Sequence, residues 1–255
     1  MAQLPTDAVV VLTGGNEGIG RAMAATLLAD GRRVAVLDVA DDGLADLREA
    51  YPDRLRYHEC DVTVDDDVTA AVGAVIDEWD RIDVLVNNAA VFSFGPFAEL
   101  TLDDARREFD TNVFGYMRTI RAVLPRMRAQ GGGRIHNVSS GAGIVGHPGL
   151  SGYAATKGAI EAFTRSIRQE LAPEGIAVTL MHPSLANTRS AAAVGYPAAA
   201  TNDPADVGRG LARRIGSTDR TIYADWGARI GIPLVRLVPA IARWGSKRFV
   251  PSPEE

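Results

Sequence analysis

The sequence is short of the groups that staple a protein, anchor it in a membrane or spread it over nucleic acid. Its one cysteine, Cys60, excludes an internal disulfide and a cluster of thiolate metal ligands. It stands in an apolar strand-like run, where a buried, inert thiol is expected. No apolar run reaches the roughly 18–20 residues that cross a bilayer, and residues 1–7 lack the basic start of a secretory signal. A cytoplasmic protein is the expectation. The net charge of −5 and pI of about 5.5 argue against a nucleic-acid partner. Internal repeats and linkers are missing too, so residues 1–255 are expected to form one domain, long enough to bury a large core. The charge is unevenly spread: residues 209–248 carry +7, and the remainder carries −12.

What is present is alternation. Short apolar runs at 8–13, 33–38, 55–61, 82–87, 134–139, 176–182 and 221–224 are separated by helix-length segments. Continuous apolar runs with that spacing suit parallel strands buried on both faces. Residues 19–30 carry apolar positions at helical spacing and stop at Gly31, a residue suited to a left-handed cap. Thr101 followed by Asp103 and Asp104 marks a helix start, with acidic groups where the helix dipole favours them. That helix is expected to run toward Gln130 with a kink at Pro125, and Asp203-Pro204 opens another. The fold class expected is α/β: one doubly wound Rossmann-type sheet of about seven parallel strands with helices on both faces.

Two local patterns point to chemistry. The first strand runs into Thr13-Gly14-Gly15-Asn16-Glu17-Gly18-Ile19-Gly20, then a helix. Glycines there allow a sharp turn and a close approach of backbone N–H groups to a diphosphate at the positive end of the helix. The second strand ends in Asp38, whose carboxylate suits the ribose hydroxyls of an adenosine and repels a 2′-phosphate; Arg32 and Arg33 lie at the strand's other end. This favours NAD over NADP. Farther on, Tyr153 and Lys157 are four apart, on one face of a helix. A neighbouring ammonium favours the phenolate and brings tyrosine toward a useful proton-transfer pKa. A bare Tyr-x-x-x-Lys pair is common, and its ordinary meaning is a surface helix.

The Thr-Gly-x-x-x-Gly-x-Gly spacing resembles the short form of the short-chain dehydrogenase/reductase family, and further motifs follow in order through Thr188. Asp61-Val62 resembles the adenine contact after the third strand. Asn87-Asn88-Ala89-Ala90 resembles Asn-Asn-Ala-Gly, with Ala90 for glycine. The resemblance implies a catalytic set of Asn112, Ser140 (in preference to Ser139), Tyr153 and Lys157, with a water held at Asn112 linking the lysine to solvent. It implies a cofactor site of Gly14, Asn16, Glu17, Gly18, Ile19, Gly20, Asp38, Asp61, Val62, Asn88 and Ala89, with Tyr153 and Lys157. After strand six the family has Pro-Gly-x-Val-x-Thr; here Pro183, Ser184, Ala186 and Thr188 are carried over, but Ser184 replaces glycine and Ala186 a β-branched residue. Nicotinamide geometry is the expectation most exposed to these changes, because a serine in a glycine's conformation needs permissive φ/ψ.

The activity implied is hydride transfer between NAD(H) and a secondary alcohol or ketone. The loops around 91–97, 141–150 and 184–202, with Phe92, Phe94, Ile144, Val145, Leu150 and Leu185, suggest an apolar pocket. An NADP-dependent carbonyl reductase and a non-catalytic NAD sensor are the alternatives. A homodimer or homotetramer is implied, through the helices beginning near Thr101 and Tyr153. The atypical tail, about 229–248, has three readings. The favoured one is packing over the substrate entrance or a neighbouring subunit; the others are a membrane-surface helix, which Pro239 would interrupt, and a site for an acidic partner or anionic substrate.

Overall fold

Alternate residues of a strand face opposite ways, and here both sets are apolar. Val10, Leu12, Val34, Val36, Val84 and Val86 enter one core, while Val9, Val11, Ala35, Leu37 and Leu85 enter another. A sheet with two apolar faces has to be covered on both. In the computed structural model, which describes residues 4–188, 191, 194 and 201–237, that is what the chain does. The strands are β1 (Val9–Thr13), β2 (Arg33–Asp38), β3 (Leu55–Glu59), β4 (Val84–Asn87), β5 (Gly133–Val138), β6 (Ile176–His182) and β7 (Thr221–Tyr223). They pair in parallel in the order β3-β2-β1-β4-β5-β6-β7.

The described helices are α1 (Gly18–Ala29), α2 (Ala45–Ala50), α3 (Asp65–Trp79), α4 (Leu102–Phe109), α5 (Gly115–Ala129), α6 (Ala142–Val145), α7 (Ser151–Leu171), α8 (Pro204–Ala212) and α9 (Trp226–Leu237). Met23 and Leu27 of α1 and Leu211 of α8 fill one face; Val68 and Val72 of α3, Ile120 and Val123 of α5 and Leu171 of α7 fill the other. β1 lies between β2 and β4, so the winding reverses there. A crevice opens at the carboxyl ends of β1 and β4, where such sheets bind ligands.

Two helix starts are as the sequence suggests. Thr101 and Asp104 form a capping box, and Asp203 accepts from the Ala205 N–H ahead of Pro204. The long helix is different. It is interrupted by a π-helical turn at Asp110–Phe114, centred on Asn112, while Pro125 stays inside α5. A wide turn with i→i+5 bonds divides the helix at a polar residue rather than at the proline. Of the tail, α9 is described; Val238, Pro239, Ile241 and Arg243 lie outside the described residues.

Candidate active site

At the head of the crevice the backbone itself is the surface. Gly14 has φ 66°, and a Cβ there would stand 2.7 Å from Ala89 Cα; one on Gly20 would stand 2.0 Å from the Gly14 carbonyl oxygen. Only glycine lets the turn fold this tightly against the next strand. Thr13 Oγ1 accepts from the N–H groups of Asn88 and Ala89, and the Asn88 amide donates to the Gly14 carbonyl at 2.7 Å. The ends of β1 and β4 are therefore clamped, and a groove of about 510 Å³ opens beside them. Gly14, Glu17, Gly18, Ile19, Gly20, Asp38, Asp61, Val62, Asn88, Ala89 and Thr188 all line it.

Asp38 stands at the end of β2, its Oδ2 accepting from the Asn16 N–H at 2.9 Å. The Asn16 side chain does not line the groove. Its amide donates to Asp42 and its oxygen accepts from the Gly43 N–H, so it braces the turn after β2. Asn16 thus meets Asp38 through its backbone N–H and the turn after β2 through its side chain. Cys60 also lines the groove, 1 % exposed, with burial pushing its thiol up to about 12, as an inert thiol requires.

A second cavity of about 530 Å³ adjoins the first and shares Ile19, Ala90 and Thr188 with it. Ser140, Tyr153, Pro183, Ser184 and Ala186 line it, among Phe92, Leu150, Leu185 and Ile232. Phe92 meets Tyr153 edge to face at 5.8 Å. Of the two serines, Ser140 lines the cavity and Ser139 is buried. Ser184 needs no left-handed backbone, since Asp80 is the only described non-glycine residue with positive φ. Gly227, Ala228, Gly231 and Ile232 of α9 also wall the cavity.

Lys157 and Asn112 belong to neither surface; they lie underneath. Lys157 is 1 % exposed, its Nζ 5.6 Å from the Tyr153 ring centroid, and burial lowers its pKa to about 7. Asn112 pairs with both backbone groups of Val91, at 2.8 Å each, and donates to Thr156 Oγ1 at 3.1 Å. It ties the segment carrying Phe92 to the helix carrying Tyr153.

Several contributors escaped the sequence reading. Arg107 and Thr111 reach the groove from α4 and the π turn. Glu161, one turn beyond Lys157, lies 2.9 Å from His182 Nε2 and accepts from Arg165. Burial works to raise its carboxyl, but the hydrogen bond and charge of His182 outweigh that and hold it below the usual range. Tyr116 touches Lys157. Arg165 is one turn from Glu161, a spacing a helix announces, but Glu161–His182 and Tyr116–Lys157 join distant elements.

The sequence profile described as short chain dehydrogenase matches residues 8–197. The chain is 35% identical over 180 residues to a 3-alpha-(or 20-beta)-hydroxysteroid dehydrogenase of Mycobacterium tuberculosis, covering 71% of this chain and 69% of that protein. It is 35% identical over 186 residues to a cyclopentanol dehydrogenase of Comamonas testosteroni, covering 71% and 74%. Among solved structures, a short-chain dehydrogenase from Streptomyces avermitilis superposes with a TM-score of 0.81 at 29% identity, over 95% of this chain and 98% of that one. A 3-ketoacyl-(acyl-carrier-protein) reductase from Brucella melitensis, complexed with NADH, gives 0.79 at 25% identity over 88% and 98%. With its profile, its sheet and its relatives in agreement, this chain belongs to the short-chain dehydrogenase/reductase family of oxidoreductases.

Proposed function

We propose that the protein is an NAD(H)-dependent dehydrogenase of apolar secondary alcohols, working reversibly with the ketone, and that Tyr153 carries the proton. The observation behind this reading is the junction of the two cavities: a glycine-walled groove ending at Asp38 meets an apolar pocket holding Ser140 and Tyr153. The groove's place at the α1 N-terminus and the clamped Gly14 beside it suit a dinucleotide diphosphate. NAD over NADP is supported by the Asp38 carboxylate and by the arginines that bond the segment after β2: Arg21 is bonded to Asp46 and Arg48 to Asp41. Both are engaged with carboxylates rather than open to a 2′-phosphate.

When bound, the nicotinamide supplies the hydride acceptor or donor. The chain's own work is with the oxygen and its proton. Ser140 hydrogen-bonds the substrate oxygen and holds the carbinol carbon toward the groove. Tyr153 takes the hydroxyl proton in oxidation and returns it in reduction. Lys157 in its ammonium form draws the Tyr153 phenol toward the phenolate, which lowers the pH at which the base is available. Phe92, Leu150, Leu185 and Ile232 exclude water and favour an apolar substrate without a carboxylate. The relatives' substrates, a hydroxysteroid and cyclopentanol, are of that kind by name. A cytoplasmic, homo-oligomeric enzyme completes the reading; Leu102 and Phe114 stand 75% and 49% exposed on the helices expected to form the interface.

NADH formation across a panel of cyclic and acyclic secondary alcohols tests this. The expected result is turnover with apolar members and a fall in kcat of roughly 10²–10⁴-fold in Tyr153→Phe, the range for a lost general base. Full turnover in that variant would remove Tyr153 from the mechanism.

A further inference from the structure

The buried lysine has a second phenol beside it. Tyr116, in the first turn of α5 after the π turn, is 1 % exposed. Its hydroxyl donates to the Val138 carbonyl at 3.2 Å and accepts from Lys157 Nζ at 3.2 Å; Nζ also donates to the Val138 carbonyl at 2.9 Å. Groups from α5, β5 and α7 thus close a triangle. The ammonium lies between two rings, 5.1 Å from the centroid of Tyr116 and 5.6 Å from that of Tyr153. We propose that Tyr116 is a positioning residue for Lys157: its hydroxyl, fixed by Val138, aims the lysine nitrogen and helps keep it protonated, so that its charge acts on Tyr153. The role given to Tyr153 rests on the function proposed above.

The need for such a hydroxyl follows from what surrounds the lysine. An ammonium taken out of water requires acceptors for its three N–H groups. Among the described residues no carboxylate is bonded to Lys157. Tyr153 faces it from its own helix, Tyr116 from α5 and the Val138 carbonyl from β5. Glu161, a turn further along α7, is engaged by His182 and Arg165, and Asn112 and Thr156 are bonded to each other. Burial alone brings Lys157 down to about 7, so each acceptor weighs on whether it is charged at neutral pH. The Tyr116 hydroxyl stays neutral, since burial raises it well above its ordinary value. It therefore remains able to donate to Val138 while accepting from Lys157. A neutral lysine would lend Tyr153 no charge, and the phenol would titrate higher.

The sequence makes this directly measurable, because Lys157 and Lys247 are the only two lysines. Enzyme labelled with carbon-13 at lysine Cε gives two resonances, which Lys247→Arg assigns. Lys157 is expected to titrate near 7 in the unaltered protein. In Tyr116→Phe the midpoint should fall by roughly half a unit to one unit, the value of one lost hydrogen bond. The acidic limb of alcohol oxidation should move to higher pH, with KM for the alcohol unchanged. An unchanged Lys157 titration in folded Tyr116→Phe would overturn the proposal and leave Tyr116 as packing. Should that variant not fold, 3-fluorotyrosine at position 116 keeps the volume and weakens the oxygen as an acceptor. It should lower the Lys157 midpoint in the same direction, and no shift would again refute the role. If the unaltered protein oxidises no alcohol, the proposed function fails, while the lysine titration still decides what Tyr116 does.

Discussion

The groove and the pocket share three residues yet are built by different means. The groove is backbone: glycines at 14 and 20, the end of β1, and a clamp made by Thr13 and Asn88. At its head the wall is a turn between adjacent elements, and its shape there depends on the absence of side chains. The pocket is side chains. Tyr153 comes from α7, with Lys157 beneath it, Ser140 from the end of β5, Phe92 from the loop after β4 and Ile232 from α9. What holds them is a layer of buried polar contacts between distant elements, made by Asn112, Tyr116 and Glu161. A backbone site is sensitive to added atoms, and a side-chain site is sensitive to lost hydrogen bonds.

That contrast can be broken from either side. The largest effect is expected from Gly20→Ala, whose Cβ would fall 2.0 Å from the Gly14 oxygen and 2.6 Å from Asn88 Nδ2. Opening the turn to relieve this should weaken NADH binding about a hundredfold, an overpacking cost of roughly 3 kcal/mol. An unchanged Kd by fluorescence titration would show that the groove is not the cofactor site. Asn112→Ala should do the reverse: NADH affinity within about threefold of the original, but kcat down about tenfold as Phe92 and α7 lose their tie. The unpaired Val91 groups should cost about 1–2 kcal/mol and lower Tm by about 3–6 °C by calorimetry.

The side-chain half also carries titratable bases whose charged form burial disfavours. His136 of β5 is fully buried with its Nε2 2.9 Å from the Ile215 oxygen, and burial brings it down to about 4. Between pH 6.5 and 4 the unfolded chain binds a proton that the folded chain refuses. Stability is therefore complete above 6.5 and is lost as pH falls toward 4, by about 3 kcal/mol at most. Urea unfolding over this range should show the slope, and His136→Gln should flatten it. Lys157 has the same sign at higher pH, adding stability as pH rises from about 7 toward 10.5. The smallest effect is expected for Ile232→Ala on the pocket wall: KM for an apolar alcohol up about three- to tenfold, with NADH affinity unchanged.

The same contrast explains what the sequence reveals. The sheet and the groove are legible because their signals are local: apolar runs with helix-length spacing, glycines at a strand end, an aspartate closing the next strand. Ser140, Tyr153 and Lys157 are legible through the resemblance, and the structure gathers them around one pocket and the layer beneath it. The π turn is not where a proline rule puts the break, since Pro125 fits in a helix that packing already holds. Asn16 carries the right position for a ligand but spends its side chain on Asp42 and Gly43. Tyr116 and Glu161 are hidden because the fold alone brings Lys157 to one and His182 to the other, and Arg107 because only the fold sets it on the groove.

The central claim is hydride transfer from an apolar carbinol carbon with Tyr153 as the base. Incubating the enzyme with NAD and a cyclic secondary alcohol deuterated at that carbon, then weighing the reduced cofactor by mass spectrometry, tests it directly. The account predicts NADH heavier by one deuterium, formed roughly 10²–10⁴-fold more slowly by Tyr153→Phe. Reduced cofactor without deuterium, or equal rates from the two enzymes, would contradict it.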